Sequence, residues 1–167
     1  MTNTFADSTL LLLILLPALS AVVLWAIPSE KKNWIRWFAI LISVVVLILS
    51  IGIFTGFDSE AGGIQFQSSY SWLDMPGTWG TGQGAFTLSL GVDGIAALMV
   101  LLTGIVMFTG TIVSWSIETD NKDFFVLYFL LLSGVFGVFV SFDLFFFFFF
   151  YELSVLPMYL LIGNWGS

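Results

Sequence analysis

Long apolar runs separated by short polar segments are the most regular feature of the sequence. Five stretches of about 20 residues carry almost no charge, at about 9–27, 34–57, 92–117, 124–140 and 144–163. A helix needs about 20 apolar residues to cross the hydrocarbon core of a bilayer, so each stretch is long enough to span it. The pattern predicts an all-α integral membrane protein with five transmembrane helices.

The first run has an alternative interpretation as a secretory signal peptide, in which a basic segment precedes a shorter apolar core. Asp7 is the only charged residue before Thr9, whereas Lys31 and Lys32 come after the run. Because this order is the reverse of a signal peptide, we interpret the run as a transmembrane helix and keep a cleaved signal as the alternative.

The segment 57–90 has a different periodicity from the runs on either side. Apolar side chains alternate roughly with polar ones at positions 64, 66, 70 and 72 and again at 86, 88 and 90, and the turn-forming stretch from Met75 to Gly80 lies between them. This pattern predicts a β-hairpin on the outer membrane surface, with Trp72 and Trp79 near the lipid headgroups. An irregular interfacial loop is the alternative. The chain then divides into helices one and two (1–56), the loop (57–90) and helices three to five (91–167).

Composition narrows the chemistry that the chain can perform. Hydrophobic residues make up 59% of it and charged residues only 9%, whereas a soluble domain carries about 25% charged residues. The absence of cysteine and histidine removes disulfides, thiolate metal sites, iron–sulfur ligation and imidazole chemistry. A net charge of −7 argues against a nucleic-acid partner. Carboxylates, hydroxyls, amides and four Lys/Arg residues remain.

The basic residues predict the orientation of the helices. Lys31, Lys32 and Arg36 lie between or beside the first two runs, and Lys122 lies between the third and fourth. Two crossings separate these loops, so they lie on the same side of the membrane, which the positive-inside rule makes the cytoplasmic side. We therefore expect the N-terminus, the 57–90 loop and the 141–143 turn outside, and the C-terminus inside.

Small residues and prolines within the runs indicate how the helices pack. Ser133, Gly137 and Ser141 recur every four residues, a spacing that lets helix backbones approach closely in lipid. Pro17 and Pro157 each lack an amide hydrogen, so each leaves a carbonyl four residues earlier without its usual donor. Neighbouring groups or water can occupy these carbonyls inside a helix bundle.

Glu152 is the strongest candidate for chemistry. It lies nine residues after Asp143, which places it roughly 13 Å below the outer boundary at a rise of 1.5 Å per residue. Acidic residues at this depth are expensive and mark ion or proton pathways by default, so we interpret Glu152 as a buried, reversible proton acceptor. We expect Pro157 to form a helix break beside this site, because the Leu153 carbonyl that it frees adjoins Glu152 and indicates local hydration. A neutral glutamate that only bonds a neighbouring helix is the alternative. Asp93 and Asp143 lie at run ends, where capping or solvated acids are expected.

The stretch from Tyr151 to Gly166 (YELSVLPMYLLIGNWG) and the stretch from Leu90 to Ile95 (LGVDGI) resemble the antiporter-like subunits of respiratory complex I. Within them, the Pro157-Met158 pair after the glutamate is most similar to chain M of NADH–quinone oxidoreductase. The resemblance implies that Glu152 belongs to a proton-transfer chain and pairs with a lysine on a later helix. It also implies a fold of about fourteen helices with two inverted five-helix repeats, of which this chain contains the first five helices.

The resemblance also implies what other polypeptides supply. FMN, iron–sulfur clusters and quinone are expected in partner subunits, with no cofactor in this chain, which has no dinucleotide-type glycine fingerprint. Other membrane-arm subunits, and a chain with the remaining helices and a buried lysine, are the expected partners. The expected location is the bacterial cytoplasmic membrane. A split subunit, a truncated product and an incomplete sequence are all compatible with the five helices. The alternative functions are a subunit of a multisubunit cation/proton antiporter, a relative of membrane-bound hydrogenases, and a purely structural membrane scaffold.

Overall fold

The computed structural model describes residues 4–75, 84–117 and 121–166 of the chain. Their elements are five long helices and one pair of strands: α1 (Thr4–Ala26), α2 (Lys32–Gly56), β1 (Gln65–Met75), β2 (Gly84–Val92), α3 (Gly94–Val113), α4 (Asn121–Val140) and α5 (Leu144–Trp165). A short 3-10 helix, Ser114–Ser116, extends α3. All five helices are long and apolar enough to cross a membrane, which confirms the prediction of an all-α membrane protein with five spans.

Helices α2 and α4 begin earlier than the apolar runs predict, because the first turn of each helix is polar. Helix α2 begins at Lys32 and α4 begins at Asn121, each two or three residues before the corresponding apolar run. Hydropathy marks only the part of a helix that lies in hydrocarbon, and a transmembrane helix can continue into the interfacial region. Asp93 and Asp143 cap the following helices, as predicted: Asp93 accepts a hydrogen bond from the Ala96 amide (2.7 Å), and Asp143 accepts from the Phe145 amide (2.9 Å).

Helix α4 occupies the centre of the bundle, where it packs against α1 and α5 and also contacts α2 and α3, while α2 packs mainly against α3. Three phenylalanines on α4, Phe125, Phe129 and Phe136, are the largest fully buried side chains among the described residues. They repeat at intervals of four and seven residues, which keeps them on one face of the helix. Large aromatic side chains therefore fill the centre of the bundle.

The two ends of the bundle are distinct. At one end, the Arg36 guanidinium donates to the Ile117 carbonyl (Nη2···O 3.0 Å) and lies 5.6 Å from the ring centroid of Trp115. This contact joins the start of α2 to the end of the α3 segment, so the basic segments around Lys31 and Lys122 lie at the same end. The structure thus places all four Lys/Arg residues of the sequence at one end, as the crossing count predicts.

At the other end, strands β1 and β2 form the predicted antiparallel hairpin, paired through positions such as Ser69 with Ser89 and Tyr70 with Leu88. The predicted turn from Pro76 to Gly80, with Trp79, and the side chain of Trp72 lie outside the described residues. The ladder is irregular between Gln65 and Ser68, where Phe66 adopts a positive φ of 54°. Such an irregularity lets a strand bend and redirect a side chain, and the Phe66 ring lies against Gly56 at the end of α2.

The hairpin is also bonded to the turn between α4 and α5. The Phe142 amide donates to the Ser89 carbonyl (2.8 Å), and Leu90 pairs with Ser141 as a short antiparallel bridge. Gly91 makes this approach possible, because a Cβ there would lie 2.6 Å from the Ile64 side chain and 3.0 Å from the Phe142 ring. The hairpin therefore fixes the position at which α5 begins.

Candidate functional site

Glu152 lies in the first half of α5 and is the only charged residue of that helix. Glu152 comes eight positions after Leu144, so its Cα lies about 12 Å along the helix axis from the first residue of α5. Helix α5 spans 22 residues, or about 33 Å. The structure therefore agrees with the sequence in placing this carboxyl group well inside a membrane-spanning helix.

The predicted burial of Glu152 is not shown by the described residues: its side chain is exposed on the surface of the five-helix bundle, because α5 packs against α4 through its opposite side. Phe146, Phe150 and Pro157 form the buried side of α5, whereas Leu156 and Tyr159 on the Glu152 side are 61% and 75% exposed. In the most apolar stretch of α5 only 17% of the residues are buried in the bundle, against 28% to 44% in the corresponding stretches of the other four helices. The five helices alone therefore leave the Glu152 side of α5 uncovered.

This exposure has a consequence in a bilayer. A charged side chain near the centre of a membrane helix costs about 3 kcal/mol or more when it faces lipid, and such residues almost always face protein or a hydrated cavity. The surface formed by Phe148, Glu152, Leu156 and Tyr159, which we call the Glu152 face, repeats at intervals of three and four residues and so forms one stripe along α5. Its chemistry fits contact with further helices or with water better than contact with lipid.

Pro157 lies on a different side of α5 from Glu152. It is buried toward the bundle, and Leu153, whose carbonyl lacks the Pro157 amide as a donor, is half-buried. Around the other proline, Pro17, the Ser133 hydroxyl donates to the carbonyl of Ile14, three residues earlier (2.8 Å). The carbonyl that Pro17 leaves without its usual amide donor is that of Leu13, so this bond lies beside the Pro17 break and does not test the expectation for the freed carbonyl.

The three small residues predicted to pack helices contact three different elements. Ser133 donates to α1, through the Ile14 carbonyl. Gly137 lies against the Phe150 ring of α5, and Ser141 pairs with Leu90 of the hairpin. The spacing of four residues thus identifies small residues at close contacts, but successive members do not face the same neighbour.

Two positions at helix contacts escaped the sequence interpretation. A Cβ at Gly134 would lie 2.9 Å from the backbone amide of Ser154 in α5, so Gly134 and Gly137 together set the α4–α5 distance. Tyr128 donates its hydroxyl to the Val106 carbonyl of α3 (3.0 Å), in space that is open because residue 110 is glycine. Gly134 and Gly137 are recognisable in the sequence as small residues three positions apart. The contact between Tyr128 and Gly110 joins two different helices, and no local sequence pattern relates these residues.

Comparisons with known proteins agree with the fold and with the resemblance at the level of the family. The chain is 35% identical to NAD(P)H-quinone oxidoreductase chain 4 3 of Picosynechococcus over 157 residues, which cover 93% of this chain and 27% of that protein. It is 34% identical to the chloroplastic chain 4 of Chara vulgaris over 159 residues (93% and 30%), and 31% identical to chain 4-1 of Synechocystis over 166 residues (99% and 30%). The chain thus spans less than a third of the length of these relatives.

The fold is also found in a solved complex. One chain of the membrane-bound sulfane sulfur reductase, an archaeal respiratory membrane complex, superposes with a TM-score of 0.75 at 24% identity, covering 93% of this chain and 30% of that chain. No protein-family model matches the chain. The curated relatives are all named as chain 4 of an NAD(P)H-quinone oxidoreductase, so the chain is similar to subunits of that kind of complex. These names do not test the finer resemblance to chain M.

Proposed function

We propose that the chain forms the leading five helices of an antiporter-like subunit in the membrane arm of a complex I-type NADH:quinone oxidoreductase, and that Glu152 carries protons there. The finer assignment to chain M rests on the Pro157-Met158 pair. The similarity to oxidoreductase chain 4 over 93% to 99% of the chain supports the type of complex. FMN, iron–sulfur clusters and quinone would then be held by partner subunits.

The observation that carries the proposal is the exposure of Glu152 within a membrane-spanning helix. A carboxyl group held there at a cost is useful only where it meets a partner or a water chain, and reversible protonation is the chemistry that a carboxyl group offers in such a place. In this proposal further helices of the same subunit cover the Glu152 face and bring a buried lysine to the carboxyl group. No Lys or Arg of this chain lies in the central part of a span, so the cation comes from those helices.

The proposed orientation follows the basic residues. Lys31, Lys32, Arg36 and Lys122 share one end of the bundle, which the positive-inside rule assigns to the cytoplasm. The hairpin and the 141–143 turn would then face the opposite side. For a bacterial cytoplasmic membrane this orientation puts the N-terminus outside and the C-terminus in the cytoplasm.

The test is proton pumping by the assembled complex, reconstituted in liposomes, with the Glu152→Gln substitution in this chain. The substitution keeps the size and polarity of the side chain and removes its exchangeable carboxyl proton. We expect fewer protons pumped per electron pair while quinone reduction in the uncoupled complex continues, and partial recovery with Glu152→Asp. Glu60→Gln is the matched control, because Glu60 lies in the exposed loop after α2.

Two results would contradict the proposal. An unchanged ratio of protons to electrons in the Glu152→Gln complex would remove Glu152 from the proton path and favour a scaffold role. Purification of the chain in a complex that lacks peripheral redox subunits would instead favour a cation/proton antiporter.

A further inference from the structure

A groove lies beside the connection between α1 and α2, at the basic end of the bundle. Its volume is about 390 Å³, more than ten times the roughly 30 Å³ that a water molecule occupies in the liquid. The lining is apolar except at one rim, and it consists of Val23, Ala26, Ile27, Pro28, Lys31 and Trp34. The groove is thus large enough for a length of hydrocarbon chain.

The groove lies where a membrane helix meets the interface. Its apolar wall comes from the last turn of α1, which ends at Ala26, and its rim comes from the start of α2 at Lys32. Trp25 and Trp34 are 69% and 73% exposed on either side of the connection. Exposed tryptophans are typical of the level of the lipid headgroups, so the apolar wall lies on the hydrocarbon side and Lys31 on the headgroup side.

Charge indicates what the groove accepts. The segment 28–36 contains Lys31, Lys32 and Arg36 against Glu30, which gives it a local charge of three minus one, or +2, in a chain whose total is −7. Lys31 precedes α2 without making a side-chain capping bond to it, and its side chain lines the groove. A basic side chain at headgroup level attracts anionic lipids.

We propose that this groove binds one anionic phospholipid, with its phosphate at Lys31 and the indole N–H of Trp34 and with an acyl chain along Val23 and Ala26. The combination of an apolar wall, an adjacent ammonium group and an interfacial tryptophan matches the two parts of such a lipid. The site is on the opposite end of the bundle from the hairpin, and it does not depend on the proton path through Glu152.

The experiment measures binding of phosphatidylglycerol and of phosphatidylcholine with identical acyl chains to the full chain in detergent micelles, by native mass spectrometry. We expect wild type to bind phosphatidylglycerol more tightly. The Lys31→Gln variant should raise the dissociation constant for phosphatidylglycerol about fivefold, the usual effect of one Lys at an anionic membrane surface. The Ala26→Phe variant fills the apolar part without changing charge, and it should weaken the binding of both lipids.

The Lys122→Gln variant is the matched control, because it removes one positive charge at the same end of the bundle but outside the groove. Unchanged phosphatidylglycerol binding in this variant, together with losses in the other two, would support the site. An equal loss in Lys122→Gln and Lys31→Gln, equal affinity of wild type for both lipids, or unchanged binding in Ala26→Phe would each overturn it.

Discussion

Replacing Gly137 with alanine tests the packing of α5, the helix that carries Glu152, against the centre of the bundle. A Cβ at position 137 would lie against three carbons of the Phe150 ring, the farthest of them at 2.7 Å. Phe150 is only 7% exposed and is packed against Phe146 and Phe149, with ring centroids at 6.5 and 5.5 Å. The ring therefore has little room to move away, and α4 and α5 must separate instead.

The magnitude follows from the cost of overpacking, which is about 1–3 kcal/mol for one added group in a well-packed core. Gly52 supplies the matched control, because it lies within α2 and a Cβ there meets no atom within 4 Å. Alanine exceeds glycine in helix propensity by about 1 kcal/mol, so Gly52→Ala should be neutral or stabilising. Gly137 also lies inside a helix, so the same propensity gain applies to Gly137→Ala and cancels in the comparison. The free energies of unfolding of the two variants should therefore differ by the overpacking cost, about 1–3 kcal/mol.

Reversible unfolding of the full chain in mixed micelles, at rising fractions of sodium dodecyl sulfate and followed by near-ultraviolet circular dichroism, measures this difference. The Phe150→Leu substitution should relieve the clash, so the double variant should be more stable than the sum of the two single changes predicts. Equal stabilities of Gly137→Ala and Gly52→Ala would refute the close contact between α4 and α5.

Two further substitutions test other contacts in the same assay. Ser133→Ala removes the hydrogen bond to the Ile14 carbonyl of α1 and should lower the free energy of unfolding by about 0.6 kcal/mol, the average for interhelical bonds in membranes. Ser43→Ala removes a bond within one helix and should lower it by less. A larger loss in Ser43→Ala than in Ser133→Ala would contradict the interhelical role of Ser133. Asp143→Ala removes the cap of α5 and should cost about 1 kcal/mol, whereas Asp143→Asn should keep most of the stability, and equal effects would argue against capping.

Hydropathy predicts the five spans well because the physical requirement is simple: a helix that crosses the hydrocarbon core needs about 20 apolar residues in a row. The hairpin follows from a period-two pattern on either side of a turn-forming stretch, and the caps follow from acids that precede apolar runs. The position of all four basic residues at one end of the bundle follows from counting how many times the chain crosses the membrane between them. All these features depend on residues that are close together in the sequence.

Contacts between residues that are far apart in the sequence could not be predicted from its local patterns. The bond from Arg36 to the Ile117 carbonyl joins positions 81 apart, and Tyr128 bonds a carbonyl 22 positions earlier. Glu152 could be placed at its depth by counting residues, but its direction could not, because α5 is apolar all round and has no polar face to orient it. The structure supplies that direction through the glycines of α4, which fix the side of α5 that is buried.

The central claim is that Glu152 changes its protonation during turnover, and infrared difference spectroscopy of the assembled complex tests it most directly. Spectra of the resting and the reduced, pumping complex should contain a carboxyl C=O band that shifts in deuterium oxide. We expect this band to be absent in the Glu152→Gln complex and retained in the Glu60→Gln complex. Identical difference spectra in the wild-type and Glu152→Gln complexes would contradict the account.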